Sequence, residues 1–364
     1  MVNLIEGLGD LLESGGQEEL IELRELLQEL LGGPGATGRL IAQKRLAPRV
    51  YRLRFKVNGR DLSLVVKRLD PDVAQRNQLT TKRWLPAVGL SQSGPPLLGV
   101  VAERSGERIW QVYEDLGACT LDECAPDPAR VGVAVELIAQ IHTRFAGHAL
   151  LAECRLWGGD FGIHFYASSL RDAIRSLESL RAPYVGLSAE RLALRNRLLE
   201  RLHELLDEEP YRAQMMKELG GPDTFLHGDL WPKNMLVFPA DNGLQARLID
   251  WDRAGVGPAS YDLSTFLSRF PTCERQWILG LYQQSLGCSG WRLPSAADLN
   301  LLFDTAERAR LANCVIWRAL AIWESQAEWA FHELASLEQW FEMLQPVLLL
   351  ERFANACTDQ YRER

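Results

Sequence analysis

Residues 225 to 263 read FLHGDLWPKNMLVFPADNGLQARLIDWDRAGVGPASYDL, and this stretch restricts the possible folds more than any other. Two apolar runs, Met235–Phe238 and Leu248–Ile249, flank a Pro-Ala-Asp-Asn-Gly segment, a pattern that predicts a β-hairpin. A hairpin returns the chain to its starting point. The residues before the first strand must therefore meet those after the second. His227-Gly228-Asp229 and then Asn234 precede the first strand, and Asp250 comes after the second. The spacing predicts that Asp229, Asn234 and Asp250 converge.

Two carboxylates and one amide at such a point suit phosphoryl transfer, which needs positioning and charge neutralisation more than covalent help. One carboxylate takes the proton of an acceptor hydroxyl. The amide and the other carboxylate form a hard oxygen set for Mg²⁺ against nucleotide phosphates. An Asp followed five residues later by Asn, and then by an Asp closing a strand, is the kinase catalytic pattern. HGDLWPKN followed by LIDWDRAGVGPASYDL resembles the aminoglycoside phosphotransferase and choline kinase superfamily, and the HGDLW form also resembles fructosamine kinases. The resemblance implies that Asp229 is the catalytic base and that Asn234 and Asp250 are the Mg²⁺ ligands. His227 and Asp262 would brace the catalytic turn. Asp252 would be an outer contact of metal or substrate. Trp231 stands where protein kinases place a lysine, which argues for a small-molecule acceptor.

The resemblance also implies an α+β, bilobal protein-kinase-like fold, with a small N-terminal β-sheet lobe and a large, mostly helical C-terminal lobe. The corresponding division is an acidic helical extension over 1–34, a nucleotide-binding sheet over 35–116, and a catalytic and acceptor-binding region over 117–364. Within the sheet region, GRLIAQKRL, RVYRLRFKV and LSLVVKRL read as antiparallel strands, the last two joined at Asn58-Gly59. Lys67 occupies the place of the strand lysine that holds the α- and β-phosphates of ATP or GTP. Ile109–Tyr113 is a further strand, and by resemblance the backbone at Glu114 and beyond meets the purine.

Two departures from the family pattern bear on the nucleotide. The loop that would cover the phosphates, Leu46-Ala47-Pro48-Arg49, has no glycine, so Arg49 or Lys44 is expected to supply charge there. The helix after Asp72 carries no acid to pair with Lys67; Asn77 or Gln78 stands in that place. Either an amide holds the lysine or another carboxylate reaches it. These departures motivate a second reading, a catalytically weak nucleotide-binding module acting through protein partners. A metal-dependent hydrolase fits less well, since nothing supplies a nucleophile or a second metal cluster.

Upstream, Leu4 to Leu12 present one apolar helical face, and a second helix spans about Gln17 to Leu31, expected to pack on the body of the same chain. Downstream, VGVAVELIAQIHTRFAGH and residues 188 to 207 read as long helices, with His142 a hydrogen-bonded core residue. The last hundred residues are helical and rich in tryptophan (Trp277, Trp291, Trp317, Trp323, Trp329, Trp340), most of them expected in the core. By resemblance these helices build the acceptor pocket. The excess of acids over bases in 304–364 would favour a cationic acceptor.

Composition narrows the remaining choices. The chain has 364 residues and a net charge of −8, but Glu6, Asp10, Glu13, Glu18, Glu19, Glu22, Glu25 and Glu29 against Arg24 account for most of it. Neither half offers a basic patch for nucleic acid. No apolar run suits a membrane span, and MVNLIEGLGDLLES lacks the basic start of a signal peptide. Seven irregularly spaced cysteines fit a reducing compartment, and the nearest pair, Cys119 and Cys124, has no Cys/His partners for a metal site. The expectation is a cytoplasmic protein whose partners are a nucleotide and a small-molecule hydroxyl acceptor; the oligomeric state is left open.

Overall fold

A computed structural model describes residues 5–6, 20–32, 38–121, 127–181, 185–241, 243–287 and 290–349. The chain begins with β1 (Ile5–Glu6), α1 (Ile21–Leu30), β2 (Gly38–Ala47), β3 (Val50–Val57), β4 (Arg60–Leu69), α2 (Pro71–Leu79), α3 (Leu85–Ala87), β5 (Leu97–Ala102) and β6 (Ile109–Glu114). It continues through α4 (Pro128–Phe145), α5 (Leu151–Trp157), β7 (Gly159–Asp160), α6 (Ile163–Ser179), α7 (Ala189–Asp207), α8 (Glu209–Leu219) and β8 (Asp223–Leu226). The remainder is β9 (Met235–Ala240), β10 (Gly243–Leu248), β11 (Gly255–Pro258), α9 (Ser260–Ser268), α10 (Thr272–Ser285), α11 (Ala296–Ser325) and α12 (Glu328–Met343). Two compact units result, residues 1–121 with 233–254 and residues 122–232 with 255–364.

The first unit is built on a six-stranded sheet in the order β1-β2-β3-β4-β6-β5, antiparallel except where β1 joins β2. Asn58 and Gly59 turn with positive φ between β3 and β4, as the Asn-Gly pair predicts. Side chains alternate across the sheet. Leu53, Phe55, Val57, Leu64, Val66, Trp110 and Val112 face one way and form a core with Leu20, Leu23, Leu27 and Leu31 of the α1 segment. The helix read from leucine spacing therefore packs on its own chain. Truncating one of its fully buried leucines, Leu23→Ala or Leu27→Ala, should cost ~2–5 kcal/mol, read by chemical denaturation; a loss below ~0.5 kcal/mol would contradict this packing.

The first predicted helix fares differently. Ile5 and Glu6 are extended and pair with Gly38 and Arg39, because the open edge of β2 offers backbone partners. The rest of that segment, Gln17–Glu19, Cys124 and everything beyond Leu349 lie outside the described residues. A π-helical turn over Thr80–Trp84 joins α2 to α3, and no sequence pattern announces it. The central hairpin forms with Leu248 opposite Met235, but its strands run further than the apolar runs. Pro239, Ala240 and Gly243, read as turn, belong to the ladder, and the second strand starts at Gly243 and ends at Leu248, before Ile249.

In the second unit the core lies among α6, α7, α11 and α12, filled by residues such as Leu170, Leu198, Ala312, Val315, Leu334 and Phe341. Side-chain caps start several helices: Asp127 accepts from Ala129 and Arg130 N–H, Ser188 from Arg191, and Ser295 from Asp298. A small sheet, β7-β11-β8, carries the chain into the HGD turn. Gly255 is required there, since a Cβ would stand 2.4 Å from the carbonyl oxygen of Gly159.

The tryptophan expectation is overturned. Trp317, Trp323, Trp329 and Trp340 are more than half exposed, because Leu, Ala and Phe already fill the inward faces of α11 and α12. Trp329 and Trp340, three turns apart, share the outer face of α12. Among the described residues of that acidic stretch, Asp304, Glu307, Glu328, Glu333 and Glu338 pair with Arg308, Arg310, Arg191, Arg318 and Arg197. No helix among the described residues is long and apolar enough to cross a membrane.

Candidate active site

The face of the first unit's sheet opposite α1 lines a cavity of about 360 Å³. Strand register sets its floor: Val50 pairs with Lys67 and Arg52 with Val65, and Lys67 and Val65 pair across with Gln111 and Tyr113. Asn77 and Thr81, one helical turn apart, line it from the α2 side. Lys233, Asn234, Ile249 and Asp250 line it from the hairpin. Asn234 and Asp250 meet where β9 and β10 meet, and Ile249 N–H donates to Asn234 O at 2.9 Å. Asp250 adopts φ +70°, a left-handed conformation that side chains other than glycine adopt at a cost of roughly 1–2 kcal/mol.

Lys67 is the electrostatic centre of this cavity. Its Nζ donates to Asp250 Oδ1 and, at 3.0 Å, to Asp252 Oδ1. Burial alone would lower the lysine pKa, but Asp250 and Asp252 outweigh it and hold the ammonium charged, above its ordinary range. Of the two possibilities left by the missing helix acid, another carboxylate reaches the lysine. Asn77 is turned to that carboxylate instead, with Nδ2 2.8 Å from Asp252 Oδ1.

At the far end, Glu114, Asp115, Leu116 and Gly117 line the cavity as β6 ends. Glu114 N–H donates to Pro96 O, Asp115 N–H to Ser63 O and Gly117 N–H to Asp115 Oδ1. The Leu116 N–H has no acceptor among the described residues. Arg52 donates to Asp115 Oδ1 and Gly117 O, both at 2.9 Å, and Ser63 donates to Asp115 Oδ2 at 2.6 Å. The sequence motifs point to neither Arg52 nor Asp115, although strand alternation from Lys67 through its register partner Val50 reaches Arg52. Arg49, expected to supply charge to the phosphates, is not among the residues that line the cavity. Its φ is +62°, and its guanidinium stands 3.8 Å from Asp70. The glycine-free turn thus closes through a left-handed arginine that points its charge at a neighbouring acid.

Asn234 and Asp250 both line this space, and an amide oxygen with a carboxylate would suit a hard divalent cation. The described residues contain no cluster of three or more His, Cys, Asp or Glu that would hold a metal unaided.

The second unit carries Asp229 in a tightly held turn. Gly228 has φ +79°, and the Asp262 carboxylate accepts from His227 N–H at 2.7 Å and Gly228 N–H at 2.9 Å. Asp262 does not cap α9; it braces the turn. His227 is buried and its Nδ1 accepts from Asp229 N–H at 3.3 Å. His142, also buried, bonds Tyr282 through Nδ1 and places Nε2 3.6 Å from Asp262. Burial would raise the Asp262 carboxyl, but His142 and the hydrogen bonds around it outweigh this and hold it below the ordinary 3.8. Asp229 is half-buried, and the Arg269 guanidinium stacks 3.3 Å from the ring centre of Trp231, two residues on.

Asp262→Asn should therefore destabilise the protein by ~2–4 kcal/mol at neutral pH, since an amide cannot accept from both N–H groups and a buried network loses its charge. A lowered folded pKa means that this carboxylate's stabilisation is present above 3.8 and is lost as pH falls below it. The stability gap between wild type and variant should close only in that acid range. A gap independent of pH down to strong acid would contradict the role.

A sequence profile of the phosphotransferase enzyme family matches residues 42–296. No functionally curated protein matches the sequence. Among solved structures, the chain is similar to the GDP and kanamycin complex of APH(2'')-IIia, with 14% identity over 83% of this chain and 93% of that one and a TM-score of 0.55. It is similar to an ethanolamine kinase from Plasmodium vivax, with 11% identity, 83% and 81% coverage and a TM-score of 0.52. A third is aminoglycoside phosphotransferase APH(3'')-Id from Streptomyces rimosus in complex with ADP and streptomycin, with 17% identity, 80% and 98% coverage and a TM-score of 0.50. These likenesses establish the α+β, protein-kinase-like fold, and with the profile covering most of the chain, it belongs to the phosphotransferase enzyme family.

Proposed function

We propose that this phosphotransferase is a small-molecule kinase that moves the γ-phosphoryl group of ATP or GTP to a hydroxyl of an aminoglycoside or other antibiotic, a sugar derivative or an amino alcohol. The observation that carries the reading is the cavity bounded by Lys67, Asn234 and Asp250 at one end and by the strand terminus at Glu114 to Gly117 at the other. Lys67 holds the α- and β-phosphates. The purine lies against the backbone at Glu114, where the Leu116 N–H is an available donor. Asn234 and Asp250 hold Mg²⁺, which when bound supplies neutralisation of phosphate charge. Asp229 accepts the acceptor's proton as its oxygen bonds to the γ-phosphorus and the bond to the bridging oxygen breaks, releasing the nucleoside diphosphate. His227 and Asp262 keep Asp229 in register.

The sheet region 35–116 is the nucleotide-holding lobe, and the helices within 117–364 receive the acceptor. Relatives of this fold are described with aminoglycosides and with ethanolamine, which supports a polar hydroxylated acceptor without choosing one. The need for a nucleoside triphosphate supports a cytoplasmic site of action. The weak-module reading loses one of its motives, since a carboxylate reaches Lys67.

Thermal melting with ATP and GTP, each with and without Mg²⁺, tests the donor site. A Mg²⁺-dependent rise with either nucleotide is expected from mass action, and it justifies an acceptor screen by donor turnover. No rise with either would overturn the reading.

A further inference from the structure

Helix α2 offers no carboxylate to Lys67, yet α2 is tied to the lysine through a third residue. Asn77 is 3% exposed, and its Nδ2 donates to Asp252 Oδ1 at 2.8 Å and to Val73 O at 3.1 Å. The same Asp252 oxygen accepts Lys67 Nζ at 3.0 Å. Arg76, one residue earlier on α2, donates to the backbone carbonyl of Asp252. Asp252 is thus pinned to α2 by side chain and backbone while its charge reaches the lysine. Lys67, Asn77 and Asp250 line the cavity, and Asp252 does not.

We propose that Asp252 is the carboxylate that positions Lys67 and that Asn77 ties it to helix α2, so that two residues 175 apart in sequence share what one helix acid would otherwise do. The inference rests on the kinase reading of Lys67. It assigns Asp252 a positioning role rather than a metal or substrate contact. Asp250 also accepts from Lys67, but it is the residue that turns to the cation. Asp252, anchored from α2, keeps the lysine in place when that happens.

The chemistry is directional. A donor is needed at 77 and an acceptor at 252, and an acid at both would place two like charges within hydrogen-bond distance. The two roles are therefore exchangeable only together.

The test compares wild type, Asp252→Asn, Asn77→Glu and the double variant Asn77→Glu/Asp252→Asn. Dissociation constants for the Mg²⁺–nucleotide, kcat/KM for the donor, Mg²⁺ half-saturation and melting temperature are measured for each. Each single change should weaken donor binding or kcat/KM by about tenfold, the scale of one charged hydrogen bond. The double variant should recover most of that loss, and Mg²⁺ half-saturation in Asp252→Asn should stay within about twofold of wild type, well short of the 10-fold or greater change typical of metal-site losses. A double variant as weak as the product of the two singles would overturn the proposal. So would a tenfold or larger increase in the Mg²⁺ requirement of Asp252→Asn, which would make Asp252 a metal ligand. If wild type itself binds no nucleotide, the kinase reading fails separately. The melting temperatures then decide the tie: non-additive changes sustain it and additive changes sink it.

Discussion

Asp229→Ala is expected to lower kcat by ~10²–10⁴, the usual span for losing a general base, while leaving Mg²⁺–nucleotide binding within about twofold of wild type. The separation arises from where the groups reside. Lys67, Asn234, Asp250 and the strand end at Glu114 line the cavity of the first unit, and Asp229 sits in the second. The turn that carries it is held by other groups as well. Gly228 supplies the left-handed backbone, and Asp262 takes the N–H groups of His227 and Gly228. Removing the carboxylate should therefore delete chemistry and spare the fold. Asp229→Asn should be equally slow, since an amide of the same shape accepts no proton. Initial rates at saturating donor and acceptor, with nucleotide melting shifts as a control, give the answer. A rate within about threefold of wild type in either variant, against the ~10²-fold minimum expected for a lost general base, would remove Asp229 from the proton-accepting role.

The local half of this arrangement was legible in the sequence because it depends on short-range rules. An apolar–turn–apolar pattern brought Asn234 and Asp250 together, and alternation along β4 placed Lys67 on the face away from the α1 core. Contact between distant segments was not legible. Nothing in the residues around Asn77 says that its amide will meet Asp252, or that the lysine without a helix acid will be served from beyond the hairpin. Arg49 belongs with these: its charge suggests phosphate, while its left-handed φ and its approach to Asp70 are features that composition does not fix at a turn. The exposed tryptophans show the converse limit. Hydrophobicity alone assigns Trp329 and Trp340 to a core, whereas the helical phase of α12 commits that core to Ala330, Leu334, Leu337 and Phe341.

Asp250→Ala should reduce Mg²⁺-dependent nucleotide affinity by at least ~100-fold, the upper end of what removing even a supporting contact of a metal ligand costs, and leave Mg²⁺-free binding nearly unchanged. The asymmetry arises because Lys67 keeps a carboxylate partner in Asp252 when Asp250 is gone. Its ammonium stays placed for phosphate, so only the cation's share of affinity disappears. Alanine at φ +70° also strains the backbone by roughly 1 kcal/mol, which could be mistaken for a binding defect. Asp250→Asn controls for this, since asparagine tolerates the left-handed region and retains one oxygen with no charge. It should lose intermediate affinity while melting close to wild type. Calorimetric titration of ATP and GTP into the three proteins, with Mg²⁺ and with chelator, separates the contributions. Equal Mg²⁺-dependent affinity in all three would mean that the cation is held without Asp250, and the positive φ at this residue would then need an explanation in folding rather than in binding. A loss of affinity that persists in chelator would instead place Asp250 in support of Lys67, transferring to it the positioning role of Asp252.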